Sequence, residues 1–120
     1  MQQVRWNAGQ ITVRPGTVRD DIAAQVIARE VSSAYPADYE GLWMLFGRMC
    51  VHTTASAGLP FQPEQVRSMN AADRKAAYEA FLDLPLRLRD RWLEAIDREN
   101  AALDVAIGPE PLPPDADPKA

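Results

Sequence analysis

The run from Gly41 to Pro63 carries one formal charge, Arg48, in a chain where 25% of the residues are charged. From Leu42 to Val51 only Gly47 and Arg48 interrupt the apolar residues, so a helix here is greasy around nearly its whole circumference, as an enclosed helix is. Crossing a bilayer takes roughly 20 consecutive apolar residues, and a run of about 10 to 14 reads as a buried core helix. This segment is predicted to be the central helix, starting near Asp38, whose side chain would cap it, and running to about Thr54 before Gly58 and Pro60. Gly41 and Gly47 inside it mark either a close helix approach or a kink.

Upstream, Val4 and Trp6 alternate with Gln3 and Arg5, and Ile11 and Val13 alternate with Gln10, Thr12 and Arg14, the period-2 pattern of half-buried strands. With Ala8-Gly9 as a two-residue turn, Trp6 faces Ile11 and Val4 faces Val13, and all four apolar side chains share one face of a hairpin. A hairpin alone is marginal in water, so that face must dock on the helices or on another subunit.

Pro15-Gly16 then breaks the strand, and Thr17-Val18-Arg19-Asp20 has the form of a capping box at the start of a helix. Ile22, Ala23, Val26, Ile27, Val31 and Ala34 recur at helical spacing and predict one buried side, ended by Ser32-Ser33 and Pro36. Residues 64–69 suit one or two helical turns, and Asn70 with Asp73 offers a cap for a helix over 71–82, with Ala77, Tyr78, Phe81 and Leu82 as its stripe. Pro85 suits the first turn of a last helix, in which Leu86, Leu93, Ile96, Leu103 and Ile107 keep a three-four spacing with Arg89 and Asn100 at the seam positions left over. Gly108-Pro109 ends it. The reading is a mainly α domain over residues 1–108, a small bundle of about four main helices with an N-terminal β-hairpin at 4–14. The five prolines between Pro109 and Ala120 predict an extended, mobile, acidic tail.

Charge adds little to this picture. The net charge is −4, and Glu110, Asp115, Asp117 and Lys119 contribute about half of it, which leaves the body near neutral with Arg interleaved among Asp and Glu. That distribution argues against a nucleic-acid partner. One cysteine, Cys50, excludes an intramolecular disulfide, and the N-terminus has no apolar stretch of the signal-peptide kind; the expected location is cytoplasmic.

The candidate chemistry is sparse. Cys50 and His52 are the only soft ligands or nucleophile-base candidates, and two residues apart on a helix they point about 200° away from each other. One Cys and one His fall short of a structural zinc set, so neither a metal nor a cofactor is expected. The carboxylates are spread over charged helical faces rather than paired in an apolar setting, and Asp20-Asp21 suits the positive end of a helix dipole. No phosphate-cradling glycine loop or G-x-S-x-G elbow is present. Enzymatic activity is therefore not expected. Arg48 has two readings: a snorkelling side chain that reaches water or pairs with Glu40, Asp38 or a carboxylate on a neighbouring helix, or a charge facing a partner. Trp6 is the aromatic residue best placed as an exposed anchor, and Val4, Trp6, Ile11, Val13 and Arg48 together form the candidate interface.

The order of strand, turn, strand and capped helix over residues 4 to 31 (VRWNAGQITVRPGTVRDDIAAQVIAREV) resembles the tail assembly chaperones of long-tailed bacteriophages. The rest of the chain agrees in being helical and of suitable length. The resemblance implies a non-catalytic protein of the host bacterial cytoplasm that coats the helical tape measure protein, keeps it soluble and helps tail-tube subunits assemble. Implied partners are the tape measure protein or another long helical protein, tail-tube subunits, and further copies of the chain through the hairpin, with neither nucleic acid nor membrane. A structural helical adaptor retained in a finished complex is one alternative; a small enzyme or ligand carrier using a cavity between helices is another, against which the lack of a polar constellation argues.

Overall fold

The computed structural model describes residues 1–37 and 40–109. Two strands, β1 (Gln2–Trp6) and β2 (Gly9–Val13), lead into helix α1 (Val18–Ala34). Helix α2 (Glu40–His52) passes directly into strand β3 (Thr53–Ala57), and a 3-10 helix (Pro63–Ser68) precedes α3 (Ala71–Leu82) and α4 (Leu86–Ile107). The fold is mainly α, with a small antiparallel sheet in the order β1-β2-β3. No described helix is long and apolar enough to cross a membrane.

The hairpin turns at Asn7-Ala8 rather than Ala8-Gly9, so Val4 pairs with Ile11, Gln2 with Val13 and Trp6 with Gly9. This shifts the expected register by two residues. Because side chains alternate with a period of two, a two-residue slip keeps the same face inward. Val4, Ile11 and Val13 are accordingly buried, and Trp6 packs half-buried beside them.

The third strand is the larger correction. The central helix stops at His52, and Thr53–Ala57 pairs antiparallel with β2 across an irregularity at Thr12/Val13. A sequence of Thr-Thr-Ala-Ser-Ala has no apolar alternation to announce a strand; its order comes from backbone pairing with a neighbour 40 residues away in sequence. At the junction the buried Thr53 hydroxyl donates to the Met49 carbonyl (2.7 Å) and accepts from the Trp92 indole N–H (3.1 Å). That single hydroxyl satisfies the polar atom of the largest fully buried side chain, as a buried indole requires.

Helix α2 is central, with Phe46, Met49, Cys50 and Val51 buried, although Arg48 lies on an exposed edge. Gly47 is a close approach: a Cβ there would sit 2.5 Å from the Ala24 carbonyl oxygen of α1. Phe46 also anchors an aromatic cluster, its ring centroid 5.2 Å from those of both Tyr78 and Phe81 in α3. The caps of α1 and α3 form as read, with Thr17 and Asp20 bonded reciprocally and the Asn70 side chain accepting from the Asp73 N–H at 2.8 Å.

Two helices are rotated from the expected stripe: Ile27 and Val31 of α1 and Ile96 of α4 are buried as read, while other members of each stripe are not. In α1 the buried apolar residues are Ala24, Ile27, Ala28 and Val31, while Ile22, Val26 and Ala34 are exposed. In α4 the buried residues are Trp92, Ala95 and Ile96, with Leu88 and Leu93 packed against them; Leu86, Leu103 and Ile107 stay exposed. Trp92 decides the rotation of α4, since burying its indole removes more apolar surface from water than any leucine does. The expected Asp38 cap and the tail beyond Pro109 fall on residues 38 and 110–120, outside the described residues.

Candidate functional site

The best-formed polar constellation lies where β2 ends and α1 begins. Asp20, with 3% of its surface exposed, accepts both guanidinium nitrogens of Arg14 at 2.8 Å, a third bond from Arg67 at 2.8 Å, and the backbone N–H of Thr17 at 2.8 Å. The Arg14 guanidinium holds the Asp20 carboxyl well below the usual carboxylate range against the opposing effect of burial, and Thr17 and Arg67 act in the same direction. A carboxylate so held stays ionised near neutrality with its oxygens engaged by the chain's own donors. It is a structural clamp that ties strand end, helix start and 3-10 helix together. The sequence reading found its capping role and missed both arginines: Arg67 is 47 residues away, and Arg14, six residues away, stands in the strand pattern only as a polar position.

A cleft of about 340 Å³ adjoins this clamp, between the first turns of α1, the end of α2 and α4, and it gathers Arg48, His52, Asp97 and Asn100. Its polar groups are mostly committed to holding the chain. His52 Nδ1 lies 2.9 Å from the Arg14 carbonyl oxygen, which can only accept, so Nδ1 carries the proton. The imidazole packs against Gly16, where a Cβ would fall 2.6 Å from the ring. Asn100 accepts from the Gly16 N–H at 3.4 Å. Cys50 is buried, and its thiol is pushed up by burial and by the charge of Glu64, which leaves it inert. Among the described residues no group of three His, Cys, Asp or Glu is placed to hold a metal ion.

Comparison with protein-family models, curated proteins and solved structures finds no match.

The residues expected at an interface separate. Val4, Ile11 and Val13 are buried in the chain's own core. Arg48 is exposed and makes no ion pair among the described residues, so it pairs neither with Glu40 nor with a carboxylate of α1 or α4. Trp6 is half-buried at an apolar cleft of about 380 Å³ between the hairpin tip, residues 58–60 and the start of α4.

The surface that sequence reasoning misassigned is the outer face of α1. Val18, Ile22 and Val26 are 78%, 58% and 46% exposed at successive four-residue steps. At about 100° per residue they lie opposite Ala24, Ile27 and Val31 on the helix circumference. Beside them a groove of about 420 Å³ between α1 and α2 is lined by Gln25, Arg29, Trp43 and Met44. Helix α1 is thus apolar on two opposite sides, one buried in the core and one largely open among the described residues. Counting apolar residues on each side of the helix separately would have found it.

Proposed function

We propose that this chain is a non-catalytic binding protein that covers an apolar helical segment of a larger protein, and that it serves as a phage tail assembly chaperone for the tape measure protein. The observation that carries the reading is the two-sided apolarity of α1. A helix needs one apolar stripe to pack on its own domain, and a second, solvent-exposed stripe at four-residue spacing is the form in which helices meet helices. The track Val18, Ile22 and Val26 runs for about 12 Å, and the neighbouring groove widens it. The committed state of Asp20, His52 and Cys50 supports a protein that binds in fixed ratio and turns over no substrate. The strand-turn-strand-capped-helix layout of residues 4–31 supports the phage assignment and a role in the host cytoplasm.

The test is co-expression with a tape measure protein. The expected result is a soluble complex of fixed stoichiometry that is lost with Ile22→Lys. A helical protein that stays insoluble with and without this chain, while the chain is recovered as a fixed component of finished particles, replaces the chaperone by the structural adaptor.

A further inference from the structure

The Trp6 cleft poses a separate question. Its walls are Trp6, Leu59, Pro60, Leu84, Pro85 and Leu88, and its rim carries Arg87 and Arg91. Both arginines are exposed and unpaired by any carboxylate among the described residues, and Arg91 donates to the Arg5 carbonyl at 3.0 Å, which holds it over the hairpin tip. An apolar slot with one indole wall and a cationic rim suits a proline-rich segment carrying acids. Extended proline helices dock in aromatic-lined grooves with little ordering cost, and their flanking charges set register.

The chain itself contains such a segment. Residues 109–120 read PEPLPPDADPKA: Pro111-Leu112-Pro113-Pro114 lies between Glu110 on one side and Asp115 and Asp117 on the other. We infer that this segment of one copy docks in the Trp6 cleft of a second copy, with Leu112 and its neighbouring prolines against Trp6 and the acids against Arg87 and Arg91.

Reach decides between the same chain and a second one. The cleft lies at the start of α4 and the segment leaves from its end; Leu88 and Ile107 are separated by about 28 Å of helix at about 1.5 Å per residue. Pro114 stands six residues beyond Gly108, and six residues of chain span at most about 22 Å at about 3.6 Å per residue. The proline core therefore falls short of its own cleft. One segment and one cleft per chain make a reciprocal pair, which closes a two-fold dimer. This contact uses none of the α1 residues invoked for helix binding, so the two surfaces fail or stand separately.

Sedimentation equilibrium of the full chain up to about 1 mM tests it. The expected result is a monomer-dimer equilibrium that weakens at least several-fold between 50 and 500 mM salt, as the exposed charges are screened. Two variants that alter only exposed or undescribed positions, Arg87→Glu with Arg91→Glu and Leu112→Asp with Pro113→Ala, should each be monomeric with an unchanged circular dichroism spectrum. Mixed in equal amounts they should form a one-to-one heterodimer, because one intact segment then meets one intact cleft. A chain that stays monomeric throughout, or variants that dimerise as well as the parent, or a mixture that remains monomeric, would each overturn the inference. So would a change in Trp6 indole NMR signals on altering Leu112 that is independent of protein concentration, since that is the mark of docking within one chain.

Discussion

The inner and outer faces of α1 invert the usual arrangement. Inside its first turn the helix buries a charge, Asp20; on its far side it leaves Val18, Ile22 and Val26 in solvent. The buried carboxylate is matched by two guanidinium groups and a backbone N–H, so its desolvation is offset bond by bond. The aliphatic stripe stays about half or more open to solvent among the described residues. A polar group that the fold has fully satisfied tells of architecture, whereas an apolar face that the fold has left uncovered tells of a partner.

The largest effect expected from breaking this contrast lies on the inner face. Asp20→Ala leaves Arg14 and Arg67 without their carboxylate and removes the capping bond to Thr17, and it should cost about 3 kcal/mol in urea unfolding. The same clamp has a pH signature. Because the folded-state carboxyl of Asp20 is held below its unfolded value of about 3.9, its contribution is fully present above that pH and is lost as pH falls through the range below it. The stability gap between the parent and Asp20→Asn should therefore be constant from pH 7 to about pH 5 and narrow on further acidification. A gap that stays constant to pH 2 would remove the clamp from the account.

Gly47→Ala probes how tightly that inner face is held. Alanine gains up to about 1 kcal/mol in helix propensity, but its Cβ would stand 2.5 Å from the Ala24 carbonyl oxygen, and overpacking of this kind costs about 1 to 3 kcal/mol. The expected outcome is a net loss of about 1 kcal/mol, read from the denaturation midpoint, and a stabilised variant would mean that α1 and α2 can separate without cost.

The smallest effect on stability and the sharpest on function belong to the outer face. Ile22→Lys should change unfolding free energy by no more than about 0.5 kcal/mol, because the side chain is 58% exposed, yet it should abolish capture of the proposed helical partner. A variant that loses several kcal/mol would place Ile22 in the core and remove the basis for a docking face.

Local order was legible along the chain because it is set by nearest neighbours. The Thr17 and Asn70 caps, the apolar α2 and the ends of α3 and α4 follow from side chains within four residues of the groups they serve. The inward face of the hairpin was equally legible, since alternation survived a two-residue error in register. What only the tertiary structure decided were the choices between alternatives that the sequence leaves equal. Thr53–Ala57 became a strand because β2 had an open edge; α4 turned Trp92 inward because the Thr53 hydroxyl was there to receive its N–H; and Asp20 became a clamp because Arg14 and Arg67 converge on it. In α1 the sequence determined that both sides are apolar, and the tertiary structure decided which of them this chain covers: a single domain has core enough for one side of the helix, and the packing of Ala24 against Gly47 selects it.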